Sequence, residues 1–242
     1  MSGRKLLGML VPSSNTVLEP ICAAMLADAP NVSAHFARFR VTEISLAATA
    51  LDQFQFEPML DAAALLADAK VNSICWNGTS ASWLGLETDR SLCSTIKART
   101  GIPATSAVLA LERIFRQSGI TRFGLVSPYL SDVQSQIVAK FGGEGFECVA
   151  ERHSQLRDNF SFADVTPEDL KRMVREVARE RPQAISVLCT NLRGAPLVEE
   201  LEREIGLPIY DSVAVALWGS LRAAEVDPAC IKGWGSLFRD LR

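Results

Sequence analysis

Histidine and tyrosine are nearly absent, with two of each among 242 residues. His35 and His153 alone cannot build a histidine-rich metal centre. None of the six cysteines (Cys22, Cys75, Cys93, Cys148, Cys189 and Cys230) belongs to a CxxC pair, which excludes a zinc knuckle and a thioredoxin motif. No run of 18 apolar residues occurs, so no membrane-spanning helix is expected. The apolar run after Met1–Lys5 stops at Pro12 and lacks the core and cleavage site of a secretory leader. The expected compartment is the cytoplasm, with the thiols reduced. Neither charge sign dominates. Lys+Arg is 25 and Asp+Glu is 28, a net charge of −3. That balance argues against nucleic acid and against an anionic membrane surface as partners. A P-loop with its Lys-Ser/Thr ending is also missing, which disfavours a nucleotide phosphate.

Hydrophobic residues are plentiful at 48%, enough for a sizeable core. Short β-like runs at 6–11, 71–76, 123–126, 184–189 and 207–210 alternate with helical patterns. Thr166-Pro167-Glu168-Asp169 opens one helix with a cap and a first-turn proline. A second helix runs from Ser131 to Phe141 with Gly142 as its stop. A third runs from Pro196 to Ile205 with Gly206 as a left-handed cap. Alternating elements predict an α/β fold with parallel sheets.

Three landmarks occur twice in the same order. Gly8-Met9-Leu10-Val11-Pro12-Ser13 returns as Gly124-Leu125-Val126-Ser127-Pro128-Tyr129, offset by 116. Trp76-Asn77-Gly78-Thr79-Ser80 is echoed by Val187-Leu188-Cys189-Thr190-Asn191, offset by 111. Thr100-Gly101-Ile102-Pro103 is echoed by Ile205-Gly206-Leu207-Pro208, offset by 105. The expected architecture is therefore two pseudo-symmetric Rossmann-like halves. Residues 1–105 with 212–242 form one, and residues 106–211 form the other.

Ligands of open α/β sheets sit at the carboxyl ends of the strands. Facing halves would bring together the turns at 12–15, 78–80, 127–129 and 189–191. These turns carry small hydroxyls, amides and backbone N–H groups, which suit a carboxylate. Cys189 stands out at a strand end, where partial exposure and nearby N–H groups would favour a reactive thiol. Cys75 reads as core, and Cys22, Cys93, Cys148 and Cys230 read as inert. Gly78-Thr79-Ser80-Ala81-Ser82 nearly matches a nucleophile elbow but lacks its last glycine, and no histidine follows His153. His153 itself reads as a solvated surface residue.

Val11-Pro12-Ser13-Ser14-Asn15-Thr16-Val17-Leu18-Glu19-Pro20 resembles the N-terminal motif of maleate cis–trans isomerases. The Gly78-Thr79-Ser80 turn, Tyr129 with Ser131-Asp132-Val133, and Gly233–Phe238 resemble arylmalonate decarboxylases. Both groups belong to the Asp/Glu racemase superfamily of cofactor-independent enzymes. The resemblance implies one catalytic cysteine from each half, at positions 78 and 189. Position 78 is glycine here, which is the decarboxylase pattern. It implies that Cys189 protonates an enediolate. It further implies that Asn15, Gly78, Thr79, Ser80, Tyr129 and Thr190 bind substrate, and that no cofactor or metal takes part. The expected substrate is a small carboxylic or dicarboxylic acid, most simply a substituted malonate. Maleate isomerisation, racemisation, or carboxylate binding without turnover remain open, as does oligomerisation. A cysteine restored at Gly78 would be expected to add racemisation. Arg38 and Arg40 would mark a second acidic group on the substrate if either entered the cleft.

Overall fold

A computed structural model describes residues 3–47 and 52–241. In chain order the elements are β1 (Lys5–Pro12), α1 (Leu18–Met25), β2 (Val32–Phe39), α2 (Phe56–Asp68), β3 (Ser73–Trp76), α3 (Ala81–Leu84), α4 (Leu86–Thr100), β4 (Ala104–Ser106) and α5 (Ala107–Gln117). There follow β5 (Arg122–Ser127), α6 (Ser131–Gly143), β6 (Glu147–His153), α7 (Pro167–Ala178), β7 (Ala184–Val187), α8 (Val198–Ile205), β8 (Ile209–Asp211), α9 (Ser212–Ala223) and α10 (Ser236–Asp240). Each half holds a four-stranded parallel sheet. The orders are β2-β1-β3-β4 and β6-β5-β7-β8, the same topology twice. Register repeats too, since Leu10 pairs with Trp76 and Val126 with Val187.

The central strands β1, β3, β5 and β7 are buried along nearly their whole length, which explains their continuous apolar runs. The flanking strands β2 and β6 are half-buried, and β4 has three residues. Their mixed composition hides them from a periodicity reading. Gly206 takes the left-handed cap (φ 74°), and the Thr166 hydroxyl accepts from the Asp169 N–H. The α6 stop differs from expectation. The helix continues through Gly142 to Gly143, and the left-handed turn falls at Gly145 (φ 89°).

Helices α5 and α9 follow the last strands of their sheets and pack on each other where the halves meet. A Cβ on Gly219 would stand 2.7 Å from that of Ala110, so only glycine permits this approach. From the second sheet, α9 crosses back over the first. The Ser73 hydroxyl donates to Ser220 O at 3.0 Å, and the Lys5 ammonium donates to Ala224 O at 2.8 Å. Phe115 of α5 packs in turn on Phe123 and Phe146 of the second half.

A reciprocal exchange marks the two β–α corners. Ser106 caps α5 and Asp211 caps α9, offset by 105. At the same offset, Asp89 of α4 hydrogen-bonds Ser106, whereas Gly194 leaves room for the Asp211 carboxylate. Each corner thus buries one carboxyl, supplied from opposite sides. Burial raises both acids to about 7. An unfolded aspartate titrates near 3.9. Between these values the folded chain holds protons that the unfolded chain has released, so stability falls as pH rises. Denaturation midpoints should therefore decrease from pH 4 to pH 7 and level off above. Asp211→Asn should flatten part of that slope. An unchanged slope in this variant would show that Asp211 titrates alike in both states.

Candidate active site

The four polar turns meet between the sheets. Pro12, Gly78, Thr79, Ser80, Tyr129, Cys189 and Thr190 line one cavity with Val41, Ile44, Phe54, Trp76, Trp83 and Asn159. The turns arrive there because each follows a central strand of its sheet. Thr79 Oγ1 lies 2.5 Å from the Tyr129 hydroxyl, joining the halves. Thr190 donates to Asn77 O at 2.8 Å. Among the described residues, the backbone N–H groups of Thr79 and Thr190 have no protein acceptor. These two amides are related by the repeat offset of 111. Together with the hydroxyls they form a neutral set of hydrogen-bond donors able to hold a carboxylate.

Cys189 is the cavity's thiol. It is 3% exposed rather than partly open. Burial pushes its pKa up to about 12, against opposing hydrogen bonds from the Asn191 N–H and Tyr129. The Asn191 N–H reaches Sγ at 3.3 Å. At neutral pH the group is a thiol, an acid rather than a ready nucleophile. Burial also raises the Tyr129 phenol, which stays protonated as a donor. The Cys22 and Cys75 thiols are buried in the core and Cys93 is nearly so, whereas Cys148 and Cys230 are half-buried. None of these five lines the cavity, and all six cysteines are free.

Asn15 is placed differently from expectation. Its Oδ1 accepts from Val17 and Leu18 N–H, capping the first turn of α1. Its Nδ2 donates to Thr190 O at 3.0 Å and to Thr190 Oγ1 at 3.2 Å. The amide is consumed in joining the halves, and it does not line the cavity. Neither Arg38 nor Arg40 enters. Arg38 pairs with Glu19 at 2.7 Å and donates to Ser13 O and Asn15 O, clamping that turn from outside. Arg40 is exposed. His153 is half-buried, not solvated. Its Nδ1 lies 2.7 Å from Glu151 Oε2, and its Nε2 is shared by Ser131 and Gln155, away from the cavity lining.

Sequence reasoning missed the aromatic wall. Trp83 packs edge-on against Tyr129 at 5.4 Å and Phe54 at 5.9 Å, and Trp76 lies 5.0 Å from Phe39. Both tryptophans flank the Gly78-Thr79-Ser80 turn, which was the available signal. A Cβ at Gly78 would overlap Cζ2, Cε2 and Cη2 of the Trp76 indole. The ring therefore occupies the place of a side chain at 78, the counterpart of Cys189. The space left open is about 20 Å³, room for about one water. A larger hollow of about 520 Å³ lies beside Arg152 and Arg172, away from Cys189 and the Gly78-Thr79-Ser80 turn. Among the described residues, two wall atoms, Nε1 of Trp76 and of Trp83, are buried without a hydrogen-bond acceptor. Each such group costs about 1–3 kcal/mol.

Among the described residues, no group of three His, Cys, Asp or Glu side chains is placed to hold a metal, and no helix is long and apolar enough to cross a membrane. The profile of the arylmalonate decarboxylase family matches residues 7–238. The chain belongs to that family, within the Asp/Glu racemase superfamily. A maleate isomerase of Nocardia farcinica is 26% identical, covering 98% of this chain and 96% of its own. The arylmalonate decarboxylase of Bordetella bronchiseptica is 23% identical, covering 96% and 95%. The Nocardia maleate cis–trans isomerase, solved as a cysteine-to-serine mutant with a covalent succinylcysteine intermediate, superposes with a TM-score of 0.87 at 24% identity over 99% of this chain and 100% of its own. A liganded arylmalonate decarboxylase, in which a glycine became cysteine and a cysteine became serine, gives 0.84 at 22% identity over 97% and 98%.

The Trp76 overlap revises the expectation for a second cysteine. Gly78→Cys should lower the melting temperature, because overpacking costs typically 1–3 kcal/mol. With Trp76→Ala, itself a costly truncation of a buried ring, the double variant should be less destabilised than the two single losses added together. A single variant as stable as the parent would show that the indole yields freely.

Proposed function

We propose that the protein decarboxylates a malonate bearing an apolar substituent such as an aryl group, with an enediolate intermediate protonated by Cys189. One observation carries this reading. The site offers a single thiol, and the indole of Trp76 fills the opposite, pseudo-symmetric position at Gly78. A racemase needs proton donors on both faces of its carbanion, whereas a decarboxylase needs one.

The chemistry follows from the groups present. The bond from the α-carbon to one carboxylate breaks, and CO₂ departs. Its electron pair passes into the remaining carboxylate, making an enediolate. The Thr79 and Ser80 hydroxyls, Tyr129 and the strand-end amides would stabilise that charge, each donor contributing roughly 10²–10³ in rate. The S–H bond of Cys189 then breaks as a C–H bond forms at the α-carbon. Water returns a proton to the thiolate, which the Asn191 N–H and Tyr129 meanwhile stabilise. Val41, Ile44 and Phe54 provide an apolar wall that suits the leaving CO₂. Among the described residues no Lys or Arg lines the cavity, so a charged substituent would find no counter-ion.

Maleate isomerisation is the second reading, favoured by the 26% identity to a maleate isomerase. It would call on Cys189 as a thiolate, which the raised pKa opposes. The test is CO₂ release from phenylmalonate beside conversion of maleate to fumarate, in metal-free buffer. Wild type should release CO₂, and Cys189→Ala should lose about 10³-fold or more in kcat. A prochiral methylphenylmalonate should give one enantiomer in excess. Fumarate formation without CO₂ would select the isomerase, and carboxylate binding without turnover a binding protein. Because the acid form of Cys189 is required, kcat should stay level from pH 7 to 10, where an ordinary thiol near 8.5 would titrate. A fall centred near pH 8.5 would contradict the buried-acid role.

A further inference from the structure

We propose that Trp76 and Trp83 are substrate-binding residues, their indole N–H groups donating to the carboxylate that the substrate retains. This inference rests on the carboxylic-acid reading above and assigns part of the site not yet given a role.

Both indoles line the cavity, at 1% and 3% exposure, and among the described residues neither Nε1 atom has an acceptor. An indole nitrogen only donates, so nothing but an acceptor can satisfy it. Cε2 of Trp76, the carbon bonded to Nε1, is among the ring atoms crowding Gly78, which puts that N–H beside the Gly78-Thr79-Ser80 turn. Trp83 sits one helical turn beyond Ser80 and packs on Tyr129, whose hydroxyl meets Thr79. The two rings that carry these donors therefore line the same cavity as the hydroxyls that would hold a carboxylate. Buried donors are ordinarily paired, and two lapses in one cavity point to a ligand that supplies the acceptor. An anion held by neutral donors alone suits a small carboxylate whose charge spreads into an enediolate.

The same rings set substrate size. With about 20 Å³ open, the Trp76 ring must shift to admit a malonate, and its bulk then limits the substituent at the α-carbon. Trp76→Phe and Trp83→Phe keep most of the ring and remove the donor. Each should raise KM for phenylmalonate about 10–100-fold, the usual effect of losing a hydrogen bond to a charged group. The unliganded melting temperature should hold or rise, since a buried unmet donor is gone.

The direct test uses ¹⁵N-labelled Cys189→Ala protein titrated with phenylmalonate. Its four tryptophans give four indole signals, and those of Trp76 and Trp83 are assigned by their loss in the Phe variants. Both signals should move on saturation, followed independently by calorimetry. Saturation with both signals unmoved would overturn the donor role while leaving the decarboxylase reading intact. If phenylmalonate neither binds nor is turned over, that reading fails. Malonate and maleate titrated the same way then decide the donors, movement keeping the proposal and none ending it.

Discussion

The contact on which the site depends is the buried amide of Asn15. It caps its own helix with its oxygen and reaches across to Thr190 with its nitrogen. Beside it, the Thr16 N–H donates to Asn191 Oδ1 at 2.9 Å, and Asn191 Nδ2 donates to Asn159 O at 2.6 Å. These bonds tie a turn of the first half to the turn that carries Cys189. In a buried setting such bonds are costly to break, because each lost partner leaves another group unmet. The two sheets are thereby held with their strand ends facing, and the spacing of the cavity is set by bond lengths rather than by apolar packing alone.

That rigidity bears on the thiol. Cys189 is enclosed by the tied turns, and enclosure raises its pKa. The same enclosure would hurt an enzyme that needs a resident thiolate and helps one that needs a resident acid. Arg38 contributes from outside. Its guanidinium holds the carbonyls of Ser13 and Asn15 without placing positive charge in the cavity. An arginine inside would favour ionisation of the thiol and change the chemistry on offer.

The doubled fold was legible in the residues because its landmarks are turn chemistry. Pro12 and Pro128, Gly101 and Gly206, and the polar runs after β3 and β7 recur in order, and backbone geometry demands such residues. The central strands were legible through burial on both faces. The flanking strands were not, since half-burial leaves β2 and β6 with ordinary mixed composition. Within the site, the hydroxyl turns and Cys189 were readable as polar groups at strand ends. Trp76 and Trp83 were not, because an aromatic residue beside a turn looks the same in sequence whether it fills core or walls a cavity. Asn15 was read as a ligand for substrate, whereas its oxygen accepts from Val17 and Leu18 and its nitrogen donates to Thr190, 175 residues away. Only the folded chain shows which acceptors and donors an amide has spent.

Duplication supplies two of every part, and directional chemistry requires that the copies differ. Position 78 is glycine where position 189 is cysteine. Two residues earlier, Trp76 stands where the second half has Val187, and its indole covers the glycine. These substitutions work as a pair, since neither the ring without the glycine nor the glycine without the ring would both remove one acid and close the space it left. The Asp89–Ser106 and Asp211–Gly194 corners show the same logic away from the cavity, each corner keeping one carboxyl but from opposite partners. A fold built from equal halves thus brings one thiol rather than two to its cavity lining, because its asymmetry is concentrated in a few residues around a symmetric frame.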